Sequence, residues 1–148
     1  MDLTDSQRAF LEQNASAAMI TLRADGTAHA VRVAVVLVDG KLWSSGTEGR
    51  LRTKLLRRDP RCTLFVWESG VRFLTLETTV KLIEGPDVPE LSVQLFQVMQ
   101  AKMPSPPPPG HLMWFGRPLA IDDFRRTMVE ERRLIYEFEP QRSYGLTD

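Results

Sequence analysis

Short apolar runs separated by turn-forming pairs dominate the first half of this chain. Ala17–Arg23 reads as a strand, Ala24-Asp25-Gly26-Thr27 as a hairpin turn, and Ala28–Val38 as a long β-branched strand. A second Asp-Gly pair, Asp39-Gly40, leads into a third strand, Lys41–Ser45. Arg61–Trp67 has the composition of a buried strand, and Gly70 marks a turn. In Val71–Ile83, Phe73, Thr75, Glu77, Thr79 and Lys81 fall on alternate positions, which predicts a long half-exposed strand. A last strand is expected over Leu134–Phe138, with Pro140 ending it.

Four stretches carry the helical period instead. Thr4-Asp5-Ser6-Gln7 is a capping box, and Phe10, Leu11 and Asn14 fit a first helix ending before Ser16. Leu51, Leu55 and Leu56 mark a short amphipathic helix stopped by Asp59-Pro60. After Pro86, Val88–Met103 places Leu91, Leu95, Val98 and Met99 on one face. Ile121–Glu131 does the same with Phe124 and Met128. Between these two lies Pro104–Gly110, with five prolines in seven residues, an extended surface loop. Hairpin-connected strands with helices between them predict a mainly β fold, an antiparallel barrel with peripheral helices. There is no internal repeat, and 1–148 reads as one domain.

Composition narrows the chemistry. Nineteen basic residues balance nineteen acidic ones, so no global field draws nucleic acid. Cys62 is the only cysteine, which excludes an internal disulfide and a cysteine-based zinc site. His29 and His111 are too few for a histidine-rich metal site. No apolar stretch approaches the roughly 20 residues of a membrane span, and no apolar signal core opens the chain. The expectation is a cytoplasmic protein without membrane or nucleic-acid partners. No nucleophile elbow, Walker loop or Gly-x-Gly-x-x-Gly is present.

Against that neutral background the stretch Arg50–Arg61 stands out. Arg50 and Arg52 are predicted in the first helical turn, where unpaired backbone N–H groups already make a positive pole. A cation there is unfavourable by roughly 0.3–1 kcal/mol unless an anion accompanies it. A strand, the turn Gly46-Thr47-Glu48-Gly49 and a helix start bearing Arg50, Arg52 and Lys54 together make a phosphate cradle. Arg57, Arg58 and Arg61 lie near the other helix end, where cations are favourable, and read as a solvated face. Arg32 interrupts an apolar strand between Val31 and Val33, facing outward or toward a ligand. Trp43 and Trp67 suit core or interface packing. Trp114, in the apolar segment His111–Gly116, fits a docked segment better than a lid.

The order of elements, the run from Arg50-x-Arg52-x-Lys54 into Leu56-Arg57-Arg58-Asp59-Pro60-Arg61, and the ending Met128–Arg133 with Ser143-Tyr144-Gly145 resemble the split β-barrels related to pyridoxamine 5′-phosphate oxidase. Within them the chain is most similar to the branch that binds the deazaflavin coenzyme F420 in place of FMN. Arg52 stands where that family usually has lysine, which keeps the charge and adds a bidentate fork. The resemblance implies a homodimer with two cofactor sites at the interface. It places the ring against Arg32, Val33 and Ala34, and puts Ser44, Ser45, Gly46 and Thr47 near the ribityl chain and phosphate. It also implies an oxidoreductase passing a hydride to an electron-poor small molecule. Arg57 and Arg58 are candidates for the longer anionic tail of F420, and no catalytic acid or base is assigned. A cofactor carrier on the same barrel and an anion-binding regulatory module are the two other classes these residues allow.

Overall fold

The computed structural model describes residues 1–148. Nine strands and four helices follow in the order α1 (Asp5–Gln13), β1 (Ser16–Leu22), β2 (Ala28–Ala34), β3 (Val36–Val38), β4 (Lys41–Thr47), α2 (Leu51–Arg58), β5 (Arg61–Trp67), β6 (Phe73–Ile83), α3 (Val88–Gln100), β7 (His111–Trp114), β8 (Arg117–Ala120), α4 (Ile121–Glu130) and β9 (Arg133–Leu146). Seven strands form one antiparallel sheet in the order β2-β1-β5-β6-β9-β4-β3; β7 and β8 form a separate hairpin. The fold is mainly β with peripheral helices, as the alternation of short apolar runs and turns predicted.

The sheet curls because its two edges are consecutive pieces of chain. β2 pairs with β1 as far as Ala34, and β3 pairs with β4 from Val36. Only Val35 lies between them, and its N–H donates to the Ala15 carbonyl at 2.7 Å. The predicted single strand Ala28–Val38 is therefore two strands: Val35 makes the last bond of the β1 ladder, and from Val36 the chain pairs with β4 instead. Eighteen buried side chains fill the interior, among them Met19, Leu64, Leu76, Leu134 and Tyr136. The α1 capping box is present, with Thr4 Oγ1 accepting from Gln7 N–H at 3.1 Å. Phe10 and Leu11 of that helix join the same core.

Helix α3 covers the outside of β3, β4 and β9, with Leu95 packed among Val36, Val38, Trp43 and Ile135. It ends at Gln100, three residues short of the predicted Met103, and the proline-rich loop that follows is largely exposed. A third cluster joins α3, the β7–β8 hairpin and α4 through Val93, Leu112, Phe124 and Met128. The Gln100 side chain fastens the hairpin. Its Nε2 donates to the Met113 carbonyl at 2.8 Å, and its Oε1 accepts from Met113 N–H at 2.7 Å. The segment around Trp114 is thus docked as expected, but as a hairpin the period did not reveal. Strand β9 also outruns its predicted end. It continues to Leu146 because Pro140, which has no N–H, faces Thr78 where the β6–β9 register shifts.

Candidate functional site

Helix α2 is held in place by two side chains, Thr53 and Leu56, buried at one end of the barrel. Thr53 Oγ1 donates to the Thr47 carbonyl at 2.7 Å. Its single proton is thereby used, so Tyr136 is the donor in the short hydrogen bond between Tyr136 Oη and Thr53 Oγ1. The Tyr136 ring lies in the barrel opposite Ser44, and Gly46 lies over it so closely that a Cβ there would collide with the ring. The small residues of β4 have a packing reason: they admit the tyrosine that pins the helix.

The start of α2 carries cations without counter-charges. Arg50 is the N-cap residue, just outside the helix rather than in its first turn, and its side chain makes no capping bond. No acid occupies the first turn. Arg50, Arg52 and Lys54 take part in none of the ten ion pairs. The remaining cations of this stretch are occupied. Arg57 pairs with Glu84, Arg58 donates to the Leu22 carbonyl at 2.8 Å, and Arg61 pairs with Asp59 at 2.8 Å. Arg57 is thereby paired with an acid, whereas Arg58, exposed and held only by a backbone carbonyl, keeps an uncompensated charge. Arg61 in turn holds the Asp59 carboxyl down to about 2.

Arg52 lies with its guanidinium 5.6 Å from the centre of the Tyr136 ring, and its Nε is buried with no partner. Burial lowers its pKa from the ordinary arginine value, with Tyr136 opposing the shift. It remains a cation, since no protein environment strips arginine of its proton at neutral pH. Arg50 and Lys54 are exposed and line a cleft of about 660 Å³ together with Thr47, Phe115, Arg132, Arg133 and the two acids Glu48 and Glu131; Arg52 is not part of its lining.

Other residues proposed from the sequence are distributed differently. Ser44, Gly46 and Val33 point into the barrel; Ser44 and Val33 are buried there. Ser45 and Thr47 face outward, and Ser45 Oγ is buried without a partner. Ala34 is half-buried at the end of β2. Arg32 is exposed on the outer face of that edge strand, opposite Ala18, and its Nη2 donates to Ser16 Oγ at 3.0 Å. Around it Ala28 and Ala30 leave a flat, open floor.

Sequence analysis missed Arg132, Arg133 and Phe115 as cleft residues. Arg133 is only 9% exposed, donates to Glu131 Oε1 from Nε at 3.0 Å and Nη2 at 2.7 Å, and lies 4.9 Å from the Trp114 ring centre. The one available signal was the Arg132-Arg133 pair itself, at the end of a predicted helix and just before a strand.

Away from the cleft, the outer face of β5, β6 and β9 is aromatic. Phe65 stacks on Trp67 at 5.9 Å and on Phe73 at 5.6 Å. Trp67 is 40% exposed, and Tyr144 and Leu146 are more exposed still. Trp43, by contrast, is buried and donates from Nε1 to Glu137 at 2.9 Å. No helix is long and apolar enough to cross a membrane.

A curled antiparallel sheet, sealed by a strand that crosses from one edge to the other and flanked by helices, is a split β-barrel. The chain belongs to the pyridoxamine 5′-phosphate oxidase family, whose model matches residues 3–115. Solved structures share the fold at low identity. The conserved hypothetical protein Rv2991 from Mycobacterium tuberculosis is 16% identical with a TM-score of 0.71, over 98% of this chain and 85% of that one. A protein described as an F420 reductase is 16% identical with a TM-score of 0.66, over 96% and 98%. HutZ, the heme storage protein from Vibrio cholerae, is 15% identical with a TM-score of 0.65, over 98% and 95%. No curated protein matches the chain in sequence.

Proposed function

We propose that this protein is an oxidoreductase that binds coenzyme F420, with FMN as the alternative, and reduces an electron-poor double bond in a small organic substrate. The observation that carries the proposal is the start of α2, an uncapped helix end with no acid in its first turn, where Arg50, Arg52 and Lys54 form no ion pair and Arg50 and Lys54 line the cleft. Such a site favours a phosphate, which both cofactors carry after their ribityl chain. When bound, the cofactor would supply hydride. The chain's own part is to hold and orient it. Arg50, Arg52 and Lys54 hold the phosphate, and Ser45, Thr47 and the backbone of the β4–α2 turn give short polar contacts. The outer face of β2 around Arg32 and Ala34 offers a flat floor of small residues. The ordering of F420 over FMN rests on the sequence resemblance, and the likeness to a described F420 reductase agrees with it.

The exposed stack of Phe65, Trp67 and Phe73 with Tyr144 and Leu146 supports a homodimer through this sheet face, since large contiguous apolar patches mark association surfaces. A non-catalytic carrier on the same barrel is the second reading. It is favoured by the likeness to a described heme storage protein.

The test is a spectroscopic titration with F420 and with FMN, followed by the same titration on Arg52→Ala. We expect the substitution to weaken cofactor binding by about 1.5–3 kcal/mol, the range for a charge-assisted hydrogen bond, with the fold retained. Unchanged affinity in Arg52→Ala would remove the phosphate assignment. Tight FMN binding with no response to F420 would reverse the order of cofactors. Binding without turnover of enones, quinones or tetrapyrroles would favour the carrier.

A further inference from the structure

Two cavities meet where the chain enters β9, and their chemistry differs. The first, about 500 Å³, is lined by the apolar side chains of Pro86, Val88, Pro89, Met128, Val129 and Leu134, with Glu84, paired to Arg57, at its wall. The second is the cationic cleft of about 660 Å³. Arg132, Arg133 and Glu48 line both, whereas Arg50 and Lys54 line only the second. Each volume lies within the range that holds small organic molecules.

The shared wall is built rather than incidental. Arg133 is nine-tenths buried, fixed by Glu131 and by the Trp114 ring, and those hydrogen bonds use Nε and Nη2 but not Nη1. Arg132 forms no ion pair and sits at φ +53°, in a left-handed conformation that bulky residues rarely adopt. Phe115, on the cationic side, sits at φ +48° and is 82% exposed at the tip of the β7–β8 hairpin. Two of the three non-glycine residues with positive φ therefore border one cleft; the third, Asp39, belongs to a hairpin turn. The cationic cleft holds four basic residues against two acids, and Glu131 is already committed to Arg133. Glu48 lines both cavities and forms no ion pair, so it offsets part of the positive charge there.

We propose that the joined cavities bind a small organic monoanion, with its apolar body among Pro86, Val88, Met128 and Val129 and its acid group on Arg132 and Nη1 of Arg133. This binding stands without the redox assignment. Under that assignment the ligand is the substrate, a conjugated carboxylate.

Calorimetric titration of the cofactor-free protein with 2-naphthoate and its neutral isostere 2-naphthamide tests it. Saturable binding of 2-naphthoate is expected, with the amide weaker by at least about tenfold. Arg132→Gln, at an exposed position, is expected to weaken naphthoate at least about tenfold and leave the amide unchanged. Val129→Glu, also exposed, is expected to weaken both. Equal affinity for acid and amide, undiminished naphthoate binding in Arg132→Gln, or no heat at millimolar naphthoate would each overturn the proposal. Titrating Arg132→Gln with F420 and FMN separates the two sites: retained cofactor affinity supports the proposal, and its loss would assign the cleft to the cofactor instead.

Discussion

Cys62 reports how thoroughly the barrel interior excludes water. Burial pushes its thiol up to about 12, while an unfolded cysteine ionises near 8.5. The unfolded chain therefore loses its thiol proton first. Any stability linked to this proton is fully present below about pH 8.5 and is lost as pH rises toward the folded value. The native protein should resist a thiol reagent at pH 8 and react only when denaturant exposes Cys62. Rapid labelling of the native protein would show that the interior opens. Residue identity alone was a good guide here, as a lone cysteine within a strand of buried composition reads as a small core side chain. It was a poor guide at Ser44 and Gly46, which look like ligand contacts in a strand–turn–helix but serve Tyr136, ninety or more positions away. A strand's two faces are plain from alternation; which face meets a ligand is decided by partners the local pattern does not contain.

Among the elements, α2 links the core to the candidate site. The chain from Thr47 carbonyl to Thr53 to Tyr136 fixes the helix whose first residues bear the free cations. Thr53→Val keeps the side-chain shape but leaves Tyr136 Oη without its partner and removes one donor to the Thr47 carbonyl, which keeps the Arg50 N–H at 3.3 Å. It should cost about 1–3 kcal/mol of stability in denaturant unfolding, and weaken cofactor binding because the cradle loses its anchor. A variant as stable as the parent would mean that the helix is held by Leu56 alone. The helices and the two Asp-Gly hairpins were legible because each is decided within a few residues. The change of partner strand at Val35 was not, since it depends on β1 and β4; nor was the run of β9 past Pro140, which needs a register shift in β6. The β7–β8 hairpin lacks an Asn-Gly or Asp-Gly turn, turning instead at Phe115-Gly116, and is secured by Gln100 from another element.

For the molecule as a whole, the aromatic face of β5, β6 and β9 is the feature a lone barrel leaves unexplained. Trp67→Glu places a charge at the exposed end of that stack, so, if the parent sediments as the proposed dimer, the variant should sediment as monomer with little change in its circular dichroism. A parent protein that sediments as a monomer would remove the interface. The split barrel itself has a mechanical consequence. Its seam between β2 and β3 is closed by the peptide bonds on either side of Val35 rather than by a hydrogen-bonded ladder. Opening new termini there by circular permutation would unlatch the cylinder along its whole length, whereas new termini in Pro104–Gly110 would leave every staple of the sheet in place.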